Sequence, residues 1–343
     1  MGKVLSRGEN IRRFIIQHVE KYPDQIAGVT AKKFNISRQA IYKHIKKLTE
    51  EKTLIAEGTT RNRRYKLHPL VQWRKIYKTD DEPAEDIVWR LDIEPQIGKM
   101  PGNVVNIWHY GFTEMFNNAI DHSEADTIMV RIKKTAASTQ VVIYDNGVGI
   151  FKKIQKELKL LDEKHAVLEL AKGKLTTDPA RHTGEGIFFT SRMFDAFDIL
   201  SGGVFFTHTF GEEEDWIMNG DSASEGTFVW MKLNNHTSRT VKKVFDSFTS
   251  GDSYGFTKTV VPVKLALYGD DKLVSRSQAK RVLARIDRFK TVIFDFEGVE
   301  SVGQAFADEV FRVFANQHPE IELIPVKANR NVNGMIKRAL SRI

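Results

Sequence analysis

Over the first fifty positions hydrophobic residues recur at helical spacing; afterwards alternating stretches interrupt that pattern and divide the chain into segments. Residues 10–22 place Ile11, Phe14, Ile15 and Val19 on one helical face, closed by Pro23 and Asp24. Residues 30–34 predict a short second helix, Asn35 and Ile36 a turn, and Ser37 the N-cap of a third helix reaching about Thr49. In the third helix Ala40, Ile41, Ile45 and Leu48 face inward, leaving Arg38, Gln39, Tyr42, Lys43, Lys46 and Lys47 mostly outside. Residues 54–56 and 63–67 read as a hairpin carrying Arg61, Arg63 and Arg64 at its tip. Within 111–126, Phe112, Met115, Phe116, Ala119 and Ile120 form the apolar stripe of a further helix. Strands are predicted at 127–133, 140–144, 197–200, 204–210 and from 226, with a charged helical pattern over 151–177. From 260 onward the order is strand 260–267, helix 278–289, strand 291–296, helix 305–315, strand 321–326 and helix 332–340.

With 343 residues the chain has room for two or three domains, and 41% hydrophobic with 28% charged residues describes a globular protein. There is no cysteine, which excludes disulfides, thiolate zinc sites and cysteine nucleophiles and fits a reducing cytoplasm. No apolar run approaches a membrane span, and the N-terminus lacks the apolar core of a signal peptide; a cytoplasmic location with no membrane partner is expected. The net charge of +8 is unevenly spread: residues 1–75 hold eighteen Lys and Arg against six acids, a net +12, leaving −4 for 76–343. A basic head on a mildly acidic body suits an anionic polymer as the head's partner.

The polar side of the 111–126 helix changes the picture. It holds Glu114, Asn117, Asn118 and Asp121, with His122 at its edge, where a surface helix in this Lys-rich chain would carry mixed charges. Glu114 and Asn118, four residues apart, project side by side and suit a water-activating base beside a neutral oxygen ligand for a hard cation. A half-buried amphipathic helix with a polar outer face explains the same pattern. The predicted strand 140–144 runs into Asp145-Asn146-Gly147-Val148-Gly149-Ile150, which brings a carboxylate and bare backbone together, although Asp-Asn-Gly is also strong turn chemistry. Thr183-Gly184-Glu185-Gly186-Ile187 opens an apolar helix whose free N–H groups suit phosphate, and Glu225-Gly226-Thr227 enters the last strand of this unit.

Three helices followed by a basic hairpin resemble a winged helix-turn-helix. That resemblance implies DNA as partner, a promoter or operator, with Ser37, Arg38, Gln39, Tyr42, Lys43 and Lys46 at the major groove and Arg61, Arg63 and Arg64 on phosphates or the minor groove. A helical protein-docking domain with a solvated basic face is the alternative.

Glu114-x3-Asn118-x2-Asp121, DNGVGI, TGEGI and EGT, in that order over roughly 97–233, resemble the GHKL ATPase superfamily of gyrase B subunits, chaperone and mismatch-repair ATPases, histidine kinases and anti-sigma kinases. The resemblance implies the GHKL (Bergerat) α/β sandwich, a mixed and largely antiparallel sheet backed by helices, with ATP and Mg²⁺ as cofactors. It implies that Asp145 accepts from the adenine amino group, with Thr227 nearby sharing a water. Gly147 and Gly149, beside Ile150, admit the nucleotide to the backbone, and Asn118, near Asp121, ligates Mg²⁺. Thr183, Gly184, Glu185, Gly186 and Ile187 form the phosphate segment, 151–183 the lid, and Glu114 the catalytic base. His122 after Asp121 resembles the end of the same helix motif in histidine and anti-sigma kinases, although a histidine at a helix C-terminus is favoured by the dipole alone. Glu185 departs from the kinase pattern, which has an apolar residue there, and no paired dimerisation helices with a phosphoacceptor histidine stand upstream.

The segment FDFEGVESVGQAFADEVF resembles the STAS fold of anti-sigma-factor antagonists, and more closely a STAS-like domain fused to GHKL ATPases, over about 260–343. That likeness makes Ser301 a candidate phosphosite, while Ser301-x-x-Gln304 also reads as a capping box.

The expected fold class is therefore α+β multidomain: a winged helix-turn-helix over 1–68, a connection over 69–98, the GHKL domain over 99–235, a linker over 236–258 and the STAS-like α/β domain over 259–343. The leading expectation is an ATP-binding, DNA-binding transcriptional regulator. A protein serine kinase of the anti-sigma type acting on a STAS domain is second, and a slow ATPase clamp on DNA third. A protein partner through the STAS-like domain and a homodimer, common among winged-helix regulators, are the remaining partners to consider.

Overall fold

The computed structural model describes residues 6–59, 62–175, 184–211, 216–219, 225–249, 256–267 and 273–341. Helix α1 (Arg7–His18) starts with a reciprocal cap, in which the Ser6 hydroxyl accepts from the Glu9 N–H and Glu9 accepts from the Ser6 N–H. Helix α2 (Ile26–Phe34) begins four residues earlier than expected and ends on Asn35 in the left-handed conformation. Helix α3 (Arg38–Glu50) starts under Ser37, whose hydroxyl accepts from the Ala40 N–H. Strands β1 (Leu54–Glu57) and β2 (Arg64–Leu67) pair antiparallel, Leu54 opposite Leu67. Ile15, Val19, Ile26, Ile41, Ile45, Leu48 and Tyr65 close a core of their own beneath these elements.

Only three residues separate β2 from β3 (Val71–Lys78), which pairs antiparallel with β4 (Thr127–Lys134). The expected connection over 69–98 is thus an edge strand followed by a helical run: α4 (Glu85–Val88), a π-type turn at Trp89–Ile93, and α5 (Glu94–Ile97). Burial of Tyr77, Trp89, Ile93 and Ile97 holds this run to the body, and the Tyr77 hydroxyl donates to Asp92 Oδ2 at 2.9 Å. The strand hid from the alternation pattern because Arg74, Lys75 and Ile76 are all exposed, as an edge permits.

Helix α6 (Gly102–His122) carries Trp108, Phe112, Met115, Phe116 and Ala119 into the core. After it come β5 (Ser138–Asp145), α7 (Ile150–Glu157), α8 (Glu163–Lys172), α9 (Gly186–Met193), β6 (Ala196–Ser201), β7 (Val204–Thr209), β8 (Trp216–Asn219) and β9 (Thr227–Asn234). The sheet runs β3-β4-β5-β9-β6-β7-β8, and every neighbouring pair is antiparallel, not mixed as the resemblance implied. The single helical pattern expected over 151–177 is two helices. Lys159 turns left-handed (φ 51°) between them, and Asp162 caps the second by accepting from the His165 N–H at 2.9 Å.

The remaining elements are α10 (Val241–Asp246), β10 (Lys258–Pro262), α11 (Arg276–Leu283), β11 (Thr291–Asp295), α12 (Gln304–Asp308), a π-type stretch Glu309–Phe314, α13 (Ala315–Gln317), β12 (Glu322–Val326) and α14 (Arg330–Leu340). Here the sheet β10-β11-β12 is parallel, with Val260 beside Ile293 and Ile293 beside Ile324. Strand β10 stops at Pro262, shorter than expected, and gives way to a 3-10 turn at Val263–Ala266. Ser301 does not cap α12: the N-cap is Gly303, and the Gln304 amide donates instead to Asp308 at 2.8 Å. The stretch expected as a linker over 236–258 supplies α10 and a ring cluster, Phe245, Phe248 and Phe256 against Phe188 and Phe189. One hydrophobic core therefore runs through both larger sheets. No helix among the described residues is long and apolar enough to cross a membrane.

Candidate functional site

Four separate stretches of sequence meet at a cavity of about 280 Å³ between α6, the middle of the large sheet, α7 and the start of α9. From α6 it takes Glu114, Asn118 and His122; from the end of β5, Asp145; from α7, Ile150, Lys153 and Ile154; from α9, Gly186 and Ile187; from β9, Thr227. Glu114, Asn118, Asp145, Ile150, Gly184, Gly186, Ile187 and Thr227, all chosen from sequence, line it together. Asp121 is exposed on α6 outside the lining, Glu185 is the N-cap residue of α9 and is also outside the lining, and Thr183 lies outside the described residues.

Asp145 is 4% exposed, and its Oδ1 accepts from the Gly147 N–H at 3.0 Å and the Thr227 N–H at 3.2 Å. Burial pushes its carboxyl above the ordinary range, and those hydrogen bonds pull only partly against it. The Thr227 hydroxyl in turn accepts from the Ile150 N–H at 3.0 Å, tying the loop after β5 to β9. Gly147 and Gly149 stay off the lining. A Cβ at Gly147 would fall 2.0 Å from the Ser123 carbonyl oxygen, so its bare backbone accommodates the end of α6. At Gly149, the N-cap of α7, a Cβ would fall 2.6 Å from Ser201 Oγ. Both glycines thus meet a packing requirement of the turn.

Glu114 reaches the start of α9. A Cβ on Gly186 would lie 2.0 Å from Glu114 Oε2, so only glycine lets this carboxylate sit against the helix N-terminus. Glu185, the N-cap residue of α9, makes no side-chain capping hydrogen bond, and the first turn of this eight-residue helix stands at the cavity. Gly184 (φ 71°) is joined to Leu175 by a hydrogen bond of 2.9 Å from the Leu175 N–H, bringing the two ends of 176–183 together. Next to the site, burial and the charges of Glu114 and Glu185 push the Tyr110 hydroxyl up, and burial raises Glu185 against the pull of Lys174.

Ile143, Ile150, Ile154, Leu170, Ile187, Phe188, Ile199 and Val229 supply apolar walls for a flat ring, and Asp145 supplies a buried acceptor. Among the described residues Lys153 is the one Lys or Arg of the lining, and it donates to Glu124 at 2.9 Å. Among the described residues no three His, Asp or Glu side chains gather as a metal cage. Asn118 beside Glu114 offers a single amide oxygen, which suits a cation whose other ligands come from a bound anion and water. Sequence reading missed Lys153 and Ile154. The spacing of Ile150, Lys153 and Ile154 on one face of the helix after DNGVGI was the available signal.

At the other end of the chain, Ser37, Arg38, Gln39, Tyr42, Lys43 and Lys46 are exposed on one side of α3, and Arg63 and Arg64 are exposed on the hairpin; Arg61 lies outside the described residues. Ser301 is half-buried ahead of α12. Residues 278–333 match a family described as a STAS-like domain of unknown function (DUF4325). No curated protein matches the chain.

Proposed function

We propose that the chain is an ATP-binding, DNA-binding transcriptional regulator: a GHKL-type nucleotide domain set between a winged helix and the STAS-like domain. The observation that carries this reading is the convergence of the 114–118, 145–150, 184–187 and 227 segments on one cavity with apolar walls and a buried carboxylate. Asp145 accepts from the adenine amino group, and its two backbone hydrogen bonds fix the direction of that contact. Asn118 would hold Mg²⁺, which when bound supplies charge neutralisation at the phosphates. The start of α9 would meet the phosphates, and Glu114, beside Gly186, would accept a proton from the attacking water or hydroxyl. On the head, the exposed α3 face and the hairpin arginines meet DNA, in keeping with the +12 charge of residues 1–75.

Incubation with γ-labelled ATP and Mg²⁺, beside mobility shifts on promoter fragments, tests the reading. It expects retained or slowly hydrolysed ATP together with salt-dependent DNA binding; no DNA binding at low salt overturns it. One observation favours a serine kinase as the second reading: a STAS-like segment lies in the same chain as the base. Label on protein that vanishes in Glu114→Ala would select it.

A further inference from the structure

One face of the large antiparallel sheet is buried beneath the helices: Tyr77, Ile128, Ile143, Val229, Ile199 and Phe206 alternate into the core. The residues between them point the other way, and the register arranges them in rows across β3-β4-β5-β9-β6-β7. One row reads Ile76, Met129, Tyr144, Phe228, Leu200 and Phe205, each paired with the next. The adjacent row reads Arg74, Arg131, Val142, Trp230, Asp198 and Thr207. An outer face left to water carries polar residues at such positions, whereas the first row is large and apolar or aromatic throughout. Ile76 is 54% exposed and the other five are half-buried; none of the six is among the residues that build or pack against either hydrophobic core. The head meets the row beyond Arg131, where Lys232 pairs with Glu20 at 2.8 Å. Single exposed apolar residues are ordinary, but a continuous row across six strands marks an interaction surface.

The order of side chains along the two rows selects the occupant. A two-fold axis parallel to the strands, placed between β5 and β9, brings two copies face to face with the strand order reversed. Strand β4 then lies over β6 of the second copy, β3 over its β7 and β5 over its β9. In the first row this sets Ile76 over Phe205, Met129 over Leu200 and Tyr144 over Phe228. In the second it sets Arg131 over Asp198, Arg74 over Thr207 and Val142 over Trp230. Among the described residues neither Arg131 nor Asp198 has an ion-pair partner within its own chain. Burial raises the Asp198 carboxyl, which the Thr207 hydroxyl offsets in part, so a cation brought by another chain would favour its charged form. Packed sheets keep their strand directions within about 30°, so the contacts nearest the axis are the closest. Six strands at about 4.8 Å, with two rows and their flanks spanning about 20 Å, give roughly 600 Å² per copy, the lower end of what a stable dimer buries.

We propose that the outer face of the large sheet docks a second copy of this chain, with the row from Ile76 to Phe205 at its centre and Arg131 of each copy paired with Asp198 of the other. The surface lies on the opposite side of the sheet from the cavity, so it stands whether or not the cavity takes ATP. It also brings two basic heads into one particle.

The test is sedimentation equilibrium of the full chain over micromolar concentrations, with circular dichroism to check the fold of each variant. A dimer of twice the 39.2 kDa chain mass is expected. R131D and D198R should each weaken dimerisation roughly ten-fold or more by setting like charges face to face. An equimolar mixture of the two regains opposite charges at both contacts and should sediment as a dimer. Ile76→Lys, at an exposed edge position that leaves the fold intact, should weaken dimerisation in the same direction. Monomer at every concentration, a dimer indifferent to Ile76→Lys and Arg131→Asp, or a mixture of the folded charge variants that stays monomeric overturns the proposal. A monomer that sediments with phosphatidylcholine vesicles overturns it in favour of a lipid surface.

Discussion

Asp145 shows how a single buried residue separates stability from function. Its carboxyl is held above the ordinary range by burial, so its contribution to folding is fully present below the unfolded value and is lost as pH rises through the folded one. At neutral pH the ionised group is thus a burden the fold carries. Asp145→Asn keeps an Oδ1 acceptor for the Gly147 and Thr227 N–H groups while removing the charge. The expected outcome is unfolding stability at pH 7 equal to or above that of the unmodified chain, with the difference shrinking towards acid pH in urea titrations. Nucleotide affinity should be lost in the same variant, because an amide in place of the second oxygen no longer accepts from the adenine. Gly186 gives the complementary case. The Cβ of Gly186→Ala would strike the Glu114 carboxylate, a movable side-chain end, so the fold should survive while the base is displaced. Turnover of labelled ATP should fall by about 10²–10⁴, the usual share of a general base, with binding kept within a few-fold.

Among the elements, α8 is the one whose role was least readable. Glu169 and Lys172 look like members of a solvated charged helix, yet both are about 1% exposed. Lys172 Nζ donates to Glu169 Oε1 at 2.6 Å and to the carbonyls of Arg281 at 2.9 Å and Ala284 at 3.0 Å, using its three protons to fasten α8 to the end of α11. Burial pulls Lys172 down, while Glu169, which burial alone would raise, is held lower by His165 and Lys172. Glu169 therefore contributes stability above the ordinary glutamate range that is lost as pH falls through its folded value. Lys172→Met should cost about 3 kcal/mol in denaturant melts, because it removes the nearest cation of Glu169 and the donor to the Arg281 and Ala284 carbonyls and leaves Glu169 with the longer contacts to His165 at 3.6 Å and Arg285 at 3.7 Å. The partner carbonyls lie over a hundred residues away in sequence, which is why no local pattern announced the burial. By contrast the α6 stripe, the cap at Ser37 and the strands that precede DNGVGI were legible, because each is set by spacing within a dozen residues. On α3, Arg38→Ala and Lys43→Ala should each weaken DNA binding across sequences and reduce the salt slope by about 1, measured by titration in rising salt.

At the scale of the molecule, the boundaries that read as connections in the sequence are contacts in the fold. Residues 71–78 enter the large sheet, and 241–249 with 256–258 enter the shared core, because Tyr77, Trp89, Phe245, Phe248 and Phe256 pack against partners far along the chain. The N-terminal unit keeps a separate core but is joined to β3 by three residues and tied by Lys232 to Glu20 at 2.8 Å. Packed elements therefore join the unit that holds the cavity to the STAS-like unit, and a short connection and one ion pair join it to the head. Just after α8, Lys174 lies within electrostatic reach of Glu185 at the start of α9 and donates to the Arg288 carbonyl at 2.9 Å. Among the described residues the cavity lacks cations for a polyphosphate beyond Lys153, so its nucleotide affinity should depend on the metal. The most direct measurement of the central claim is calorimetric titration of the full chain with ATP, with Mg²⁺ and with EDTA, beside Asn118→Ala. The account predicts one ATP per chain in Mg²⁺, and binding largely abolished both by EDTA and by Asn118→Ala. No binding in Mg²⁺, or binding indifferent to the metal and to Asn118, would contradict it.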